Sequence, residues 1–366
     1  MKRILFLVTA LVLLTTLMAY AENEIIKYNY ETVIETAIKN SIQPELDDYH
    51  ISAMESALED ARLEAKKGFI GGTPQEVVER TIIKQVAPIE AEVNLEIAKR
   101  KKLDNEKKLK HEVFNELMQV VLSEEKIALK KKRIELLEEK YDINMAQFRE
   151  GMISEADIAD EELALSVEKL ELVKMETALA EDILEIKQKM HIDLSDKNKV
   201  AFEYQLGEIG SPYLVQTFDI DKAVEKALES DTEVYRAEKA LEAAEKKFEI
   251  TKERLKPGND FYDYKEYEME LARKNLYDTK TNLEVSIRNA YNDLLTASDA
   301  LKLEKRRLEL EESRLSTLLT KYDAGMISRK EIIESEVKVL AQKQAVLDAI
   351  LDFNLKNEAL RYLIER

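Results

Sequence analysis

The apolar positions of this 366-residue chain recur every seven residues, and they do so twice. Val113, Val120, Ile127, Ile134, Tyr141 and Phe148 form one series, and adding 174 to each number reaches Ile287, Leu294, Leu301, Leu308, Leu315 and Tyr322. Ile158, Leu165, Leu172, Leu179 and Ile186 map at the same offset onto Ile332, Val339, Val346, Phe353 and Leu360. Between the two series of each copy lies the string Gly-Met-Ile-Ser, at Gly151–Ser154 and at Gly325–Ser328, with Phe148 or Tyr322 three residues before the glycine. Seven-residue spacing keeps side chains on one stripe of an α-helix, and a fixed offset between two such units signals an internal duplication. The pattern predicts one long helical hairpin, made twice.

A second apolar series on the first long helix, Leu122, Leu129, Leu136 and Ile143, is displaced by two residues. That displacement is about 160° round the helix. A two-stranded coiled coil needs one seam, so two opposed seams predict a helix with neighbours on both sides, in a curved wall or in a monomeric antiparallel bundle.

Glycine and proline mark where helices stop. They cluster at Gly68–Pro88, Gly151, Gly207–Pro212, Pro257-Gly258 and Gly325, with Pro44 apart. A short helix ending near Asn40 and a longer one from about Pro44 to Lys67 come first. A break over 68–88 follows, and the pattern then runs unbroken to Phe148; a helix of that length reaches roughly 90 Å, too long for a compact domain. The organisation read from these breaks is a signal peptide over 1–21, a first helical repeat over 22–190, a linker over 191–217 and a second repeat over 218–366. The signal reading rests on Lys2 and Arg3, the apolar run Ile4–Met18 and the small-x-small site Ala19-Tyr20-Ala21; the run is short of the roughly 20 residues a membrane span needs. The mature chain is therefore expected beyond the cytoplasmic membrane.

At the turns, Gly151 and Gly325 suit the left-handed position past a helix end, and Ser154 and Ser328 suit the caps of the returning helices, with Asp157 and Glu331 completing capping boxes. A helix-reversal device accounts for these residues; a docking surface made of two apolar apices, Met152-Ile153 and Met326-Ile327, is the functional alternative.

Composition narrows the function by exclusion. Without cysteine there are no disulfides, thiolate chemistry or lipoprotein-type anchor. Acidic residues number 74 against 56 basic, a balance that repels nucleic acid and suits a solvated helical surface. His50, His111 and His191 lie far apart in sequence, in no metal-ligand spacing. Carboxylate pairs are too common on these helices to single out an acid–base couple. No phosphate-binding glycine loop is present. The reading is a non-enzyme with no cofactor and no metal.

The hairpins, turns and duplication together resemble the TolC-type outer membrane efflux protein family. The second copy carries the resemblance best, in the helix Ile287-Arg288-Asn289-Ala290-Tyr291-Asn292-Asp293-Leu294 and the turn Lys321-Tyr322-Asp323-Ala324-Gly325-Met326-Ile327-Ser328. Thr32–Ser41 and Asp219–Ser230 resemble the short helices that open each family repeat. The resemblance implies an all-α coiled-coil or α-barrel architecture of long antiparallel hairpins in two tandem repeats. It also implies a homotrimer whose six hairpins enclose a hollow cylinder in the cell envelope, periplasmic or outer-membrane associated, for efflux or export. Its turns, Gly151, Met152, Ile153, Ser154, Gly325, Met326, Ile327 and Ser328, would meet a periplasmic adaptor (membrane fusion) protein fed by an inner-membrane pump. Tyr322, Glu331 and Glu334 match aperture positions, whereas Ile327 stands where some members have a basic gate residue.

One departure is large. Each family repeat inserts two membrane strands between its long helices, and transmembrane strands need about 9–11 residues of alternating polarity. Here the second copy has only a turn from Lys256 to about Asp260. The first copy has Gly68–Pro88, where Val78, Ile82 and Val86 recur at four-residue spacing and predict a short amphipathic helix. No transmembrane strand is evident, so a non-transporting coiled-coil scaffold of the envelope stands as the alternative function. The cluster Phe261, Tyr262, Tyr264 and Tyr267 fits either packing against that short helix or contact with a lipid interface.

Overall fold

A computed structural model describes residues 26–69, 71–195, 200–203 and 218–365. The signal segment, and Gly207, Gly210 and Pro212 of the linker, lie outside the described residues. In chain order the elements are β1 (Ile26–Tyr28), α1 (Tyr30–Asn40), α2 (Gln43–Lys66), α3 (Pro74–Gln85), α4 (Ala87–Arg149), α5 (Glu155–Lys189), β2 (Val200–Phe202), α6 (Ile220–Ser230), α7 (Thr232–Lys252), α8 (Asp260–Asp323) and α9 (Arg329–Glu365).

The helix boundaries follow the caps. Pro44, Pro74 and Pro88 each sit in the first two positions of a helix, where a missing N–H costs nothing. Thr73 and Glu76 form a capping box at the start of α3, and Asp219, Asp231 and Asn259 cap α6, α7 and α8. α4 and α8, of 63 and 64 residues, each extend about 95 Å at the usual helical rise.

Each long helix carries two shorter ones end to end. α4 packs along α2 over its first part and along α5 over the rest; α8 packs in the same way along α7 and then α9. α4 also meets α7 and α9, which joins the repeats. Toward the turns the helices therefore lie in the order α5, α4, α9, α8. α4 is the two-sided helix the opposed seams predict: Val113, Val120, Ile127 and Ile134 are buried, as is Leu122 of the second series. Burial along the returning helices tracks their neighbours. On α9, between α4 and α8, Ile332, Val339, Val346, Phe353 and Leu360 are all buried, while on α5 only Ile158 and Ile186 of the matching series are.

Two cores result. Val113, Leu117 and Val120 of α4 close with Val33 and Ile34 of α1, Ile186, Met190 and Phe202. Ile287, Leu294 and Leu301 of α8 close with Val224 and Ala227 of α6, Val234, Phe353 and Leu360. The pairing of β1 with β2, parallel and in the register Tyr28 with Phe202, adds strands where the hydrophobic pattern showed none. Three residues are too few for a period of two to register.

At the end remote from the turns, the first repeat has α3 and the second a seven-residue loop over 253–259. These are the places where a family member's membrane strands would stand. α3 faces the second repeat through Val78, Ile82 and Val86, which meet Ala243, Ile250, Leu255 and Phe261. The aromatic cluster divides accordingly. Phe261 packs, half-buried, against α3 and Tyr262 is buried edge-on to Phe248 at 5.2 Å, whereas Tyr264 and Tyr267 are exposed. No described helix is long and apolar enough to cross a membrane.

Candidate functional site: the paired hairpin turns

The two turns are built alike from the backbone upward. Gly151 and Gly325 have φ of +73° and +70°, a left-handed conformation that costs a side-chain-bearing residue energy. The Gly151 N–H donates to Phe148 C=O and the Met152 N–H to Gln147 C=O, both at 2.9 Å. Gly325 donates to Tyr322 at 2.8 Å and Met326 to Lys321 at 2.9 Å. This double closure satisfies the last carbonyls of α4 and α8. Ser154 then caps α5 in a capping box with Asp157, whose carboxyl the Ser154 hydroxyl and N–H hold below the usual range. At the start of α9, Glu331 accepts from Ser328 N–H at 2.8 Å and from its hydroxyl at 3.1 Å. Met152 and Met326, at the apices, are 68% and 74% exposed, while Ile153 and Ile327 are half-buried beneath them.

The turns are level with one another. α4 and α9 run antiparallel, with Lys126 against Asp348 at 2.5 Å and Asn144 against Lys330 at 3.1 Å, bridges 18 residues apart on each helix. Continuing that register by five residues sets Arg149 beside Gly325. The structure thus brings both Gly-Met-Ile-Ser strings to one end at the same height.

Beside the turns lies a set of polar and charged residues of which sequence reasoning selected only Glu334. Arg329 donates through Nε and Nη2 to the two oxygens of Glu139 at 2.7 and 2.8 Å, and Nη1 comes within 3.1 Å of Glu336. Lys140 lies between Glu161 at 3.5 Å and Glu334 at 3.4 Å. Asn144 is buried, donates to Glu161 and accepts from Lys330. Hydrogen bonding to Glu139 raises the Arg329 pKa, and the guanidinium holds the Glu139 carboxyl below its ordinary value. A usable signal existed: Arg329 and Lys330 occupy the first turn of a helix, where the macrodipole disfavours cations, so both call for anionic or polar partners nearby.

Of the residues expected at an aperture, Tyr322 is exposed in the last turn of α8, Glu331 is the exposed partner of Ser328, and Glu334 faces Lys140. Among the described residues no group of His, Cys, Asp and Glu stands placed to hold a metal ion.

No protein-family model and no curated protein matches this sequence. Solved structures do match in fold. The Campylobacter jejuni CmeC outer membrane channel superposes with a TM-score of 0.70 at 12% identity, covering 92% of this chain and 85% of that one. The outer membrane protein VceC of Vibrio cholerae gives 0.69 at 9% identity, over 92% and 96%. CusC, whose structures concern transmembrane channel formation, gives 0.68 at 11%, over 92% and 91%. The chain is thus a duplicated long-hairpin protein whose turns project together at one end. Its fold is that of the TolC-type outer membrane channels.

Proposed function

We propose that the chain is one protomer of a non-catalytic, TolC-like conduit for efflux or export, closed by three copies in the cell envelope. The observation that carries this reading is the order of helices. Within the chain, the side of α4 not facing α2 and α5 meets α7 and α9 of the second repeat. Among the described residues, the equivalent side of α8 has no further repeat to meet, and the outer side of α5 is likewise free. Both free sides carry apolar residues at seven-residue spacing: Leu163 and Leu170 on α5, 65% and 55% exposed, and Leu303 and Leu310 on α8, 48% and 50% exposed. A next copy presenting α2 and α5 to α8 repeats the internal joint, and a joint of this head-to-tail kind closes into a ring when its rotation returns to the first copy and otherwise runs on as a filament.

In this reading the level turns, with Met152, Ile153, Met326 and Ile327 at their apices, receive the tips of an adaptor linked to an inner-membrane pump. Tyr322, Glu331 and Glu334 line the aperture, where like charges disfavour anions; Lys140 offsets Glu334 in each copy. Light scattering of the processed protein, without detergent and with it, tests the ring. A trimer in both is expected, and a monomer in both removes the conduit. Replacing Met326 and Ile327 with Asp should abolish adaptor binding while the trimer persists; unchanged binding removes the docking role.

A further inference from the structure

We infer that Tyr264, Tyr267 and Leu271 of α8 pack against Leu46 and Tyr49 of α2 in a second copy of this chain, an aromatic seam that fastens neighbouring copies at the end remote from the turns. The seam rests on the head-to-tail joint proposed above and gives that joint residues and a register. Its origin is the duplication. Positions on α4 reach their counterparts on α8 by adding 174, and positions on α7 reach theirs on α2 by subtracting 190, the offset that also carries α6 (Ile220–Ser230) onto α1 (Tyr30–Asn40). In this half of the molecule the helices lie in the order α2, α4, α7, α8. The joint inside the chain is α4 against α7, and α8 against the α2 of a next copy repeats it.

Glu90, Val93 and Ile97 of α4 and Arg236, Lys239 and Ala243 of α7 line a cavity of about 550 Å³ in the internal joint. The helices run antiparallel there: Lys247 meets Glu90 at 2.5 Å, and the Arg100 guanidinium lies over the Tyr235 ring at 4.0 Å. On α8, Glu90, Val93 and Ile97 become Tyr264, Tyr267 and Leu271. On α2, Arg236, Lys239 and Ala243 become Leu46, Tyr49 and Ala53. Three charges are thereby lost, and rings stand where the internal joint leaves its cavity. Leu271, Leu46, Tyr264, Tyr267 and Tyr49 are between 40% and 72% exposed in the single chain, so the large apolar side chains that lack cover lie on the two faces that the repeat assigns to a neighbour. The same register sets Leu271 opposite Tyr49 and Tyr267 opposite Ala53, where rings and aliphatic groups stack closely.

The charges on these faces fit the same occupant. Arg100 and Tyr235 become Lys274 and Glu45, opposite in sign; Lys274 turns to Asp278 on its own helix in the single chain. Asp263 accepts from the Gly258 N–H at 3.1 Å, and Glu268 pairs with Lys265 at 2.6 Å. His50, the counterpart of Ala240, is exposed beside Tyr49. Asp260 and Asp60, counterparts of Val86 and Ile250, face each other at the outer margin, and the seam ends there in solvent.

The chain has no cysteine, so introduced pairs read the seam directly. Leu271→Cys with Tyr49→Cys, and Tyr267→Cys with Ala53→Cys, change exposed positions and should link copies on mild oxidation, which requires Cα atoms within about 7 Å. Because α2 and α8 stand at opposite ends of the row, such a link joins two chains. Tyr277→Cys with Tyr49→Cys should not link, since Tyr277 is exposed on another face of α8. Tyr267→Asp with Leu271→Asp should raise the concentration at which the oligomer dissociates on dilution at least about tenfold. Light scattering of the unmodified protein separates the two levels. An oligomer in which neither predicted pair links, or in which the Tyr277 pair links equally, overturns the seam and leaves the conduit standing; a monomer overturns both.

Discussion

Removing the Arg329 guanidinium cuts a two-point tie between the long helix α4 of the first repeat and the last helix, α9, of the second. Its Nε and Nη2 donate to Glu139 at 2.7 and 2.8 Å, and Nη1 approaches Glu336 without hydrogen-bond alignment. The Arg329 and Glu139 side chains are 33% and 42% exposed, so solvent screens the pair. Exposed ion pairs contribute about 0.2–1 kcal/mol, and a planar bidentate geometry lies above that range. A coupling of about 1–1.5 kcal/mol is expected. The assay is a double-mutant cycle of Arg329→Ala, Glu139→Ala and both, followed by urea unfolding and by hydrogen exchange at the first amides of α9, where local opening is read directly.

The pH dependence has a fixed sign. The guanidinium depresses the folded-state pKa of Glu139. A carboxyl shifted this way contributes stability that is complete above its unfolded value, about 4.3, and lost as pH falls through the lower folded value. The coupling should therefore be flat from neutrality to about pH 5 and disappear in stronger acid. Single-mutant effects that add within about 0.3 kcal/mol at neutral pH, or a coupling that grows on acidification, would refute the reasoning.

Three further substitutions test the packing and the turns. Gly325→Ala should cost about 1 kcal/mol in urea unfolding; nothing lies within 4 Å of the added Cβ, so the cost is that of the backbone conformation alone, and no loss would mean that the turn relaxes. His191, with φ of +50° just past α5, occupies the position that favours glycine, and His191→Gly should stabilise by about 0.5–1 kcal/mol, read as a higher urea midpoint. Ile287→Ala empties a fully buried site in the second core and should cost about 2–5 kcal/mol; a cost under 1 kcal/mol would show that the α8 core is loosely packed.

Much of this architecture was legible because its punctuation is chemical. Prolines at helix starts, glycines in left-handed turns and capping side chains mark their boundaries in the sequence itself, which is why α1 through α5, α8 and α9 fall close to where the breaks put them, whereas the start of α7 at Thr232 follows no glycine or proline. The partners of each helix were not legible. Opposed seams on α4 say that two neighbours exist, and only the fold says that they are α5 and α9. The Arg329 and Lys140 bridges were hidden among the many other charges for the same reason: a charged residue announces itself only when its partner is known, and these partners lie on other helices, up to 190 residues away.

The bridges have a further role that the seams cannot fill. A repeat of seven tolerates a slip of one heptad, because apolar residues still meet apolar residues. Lys126 does not tolerate it. Its side chain is 14% exposed and pairs with Asp348; a heptad slip puts Ala341 or Leu355 opposite and leaves a largely desolvated ammonium unpaired, at a cost of several kcal/mol. Asn144, buried between Glu161 and Lys330, would face Val337 instead or lie beyond the start of α9. The apolar stripes hold α4 against α9, and these two polar contacts select the one register that brings both turns to the same height.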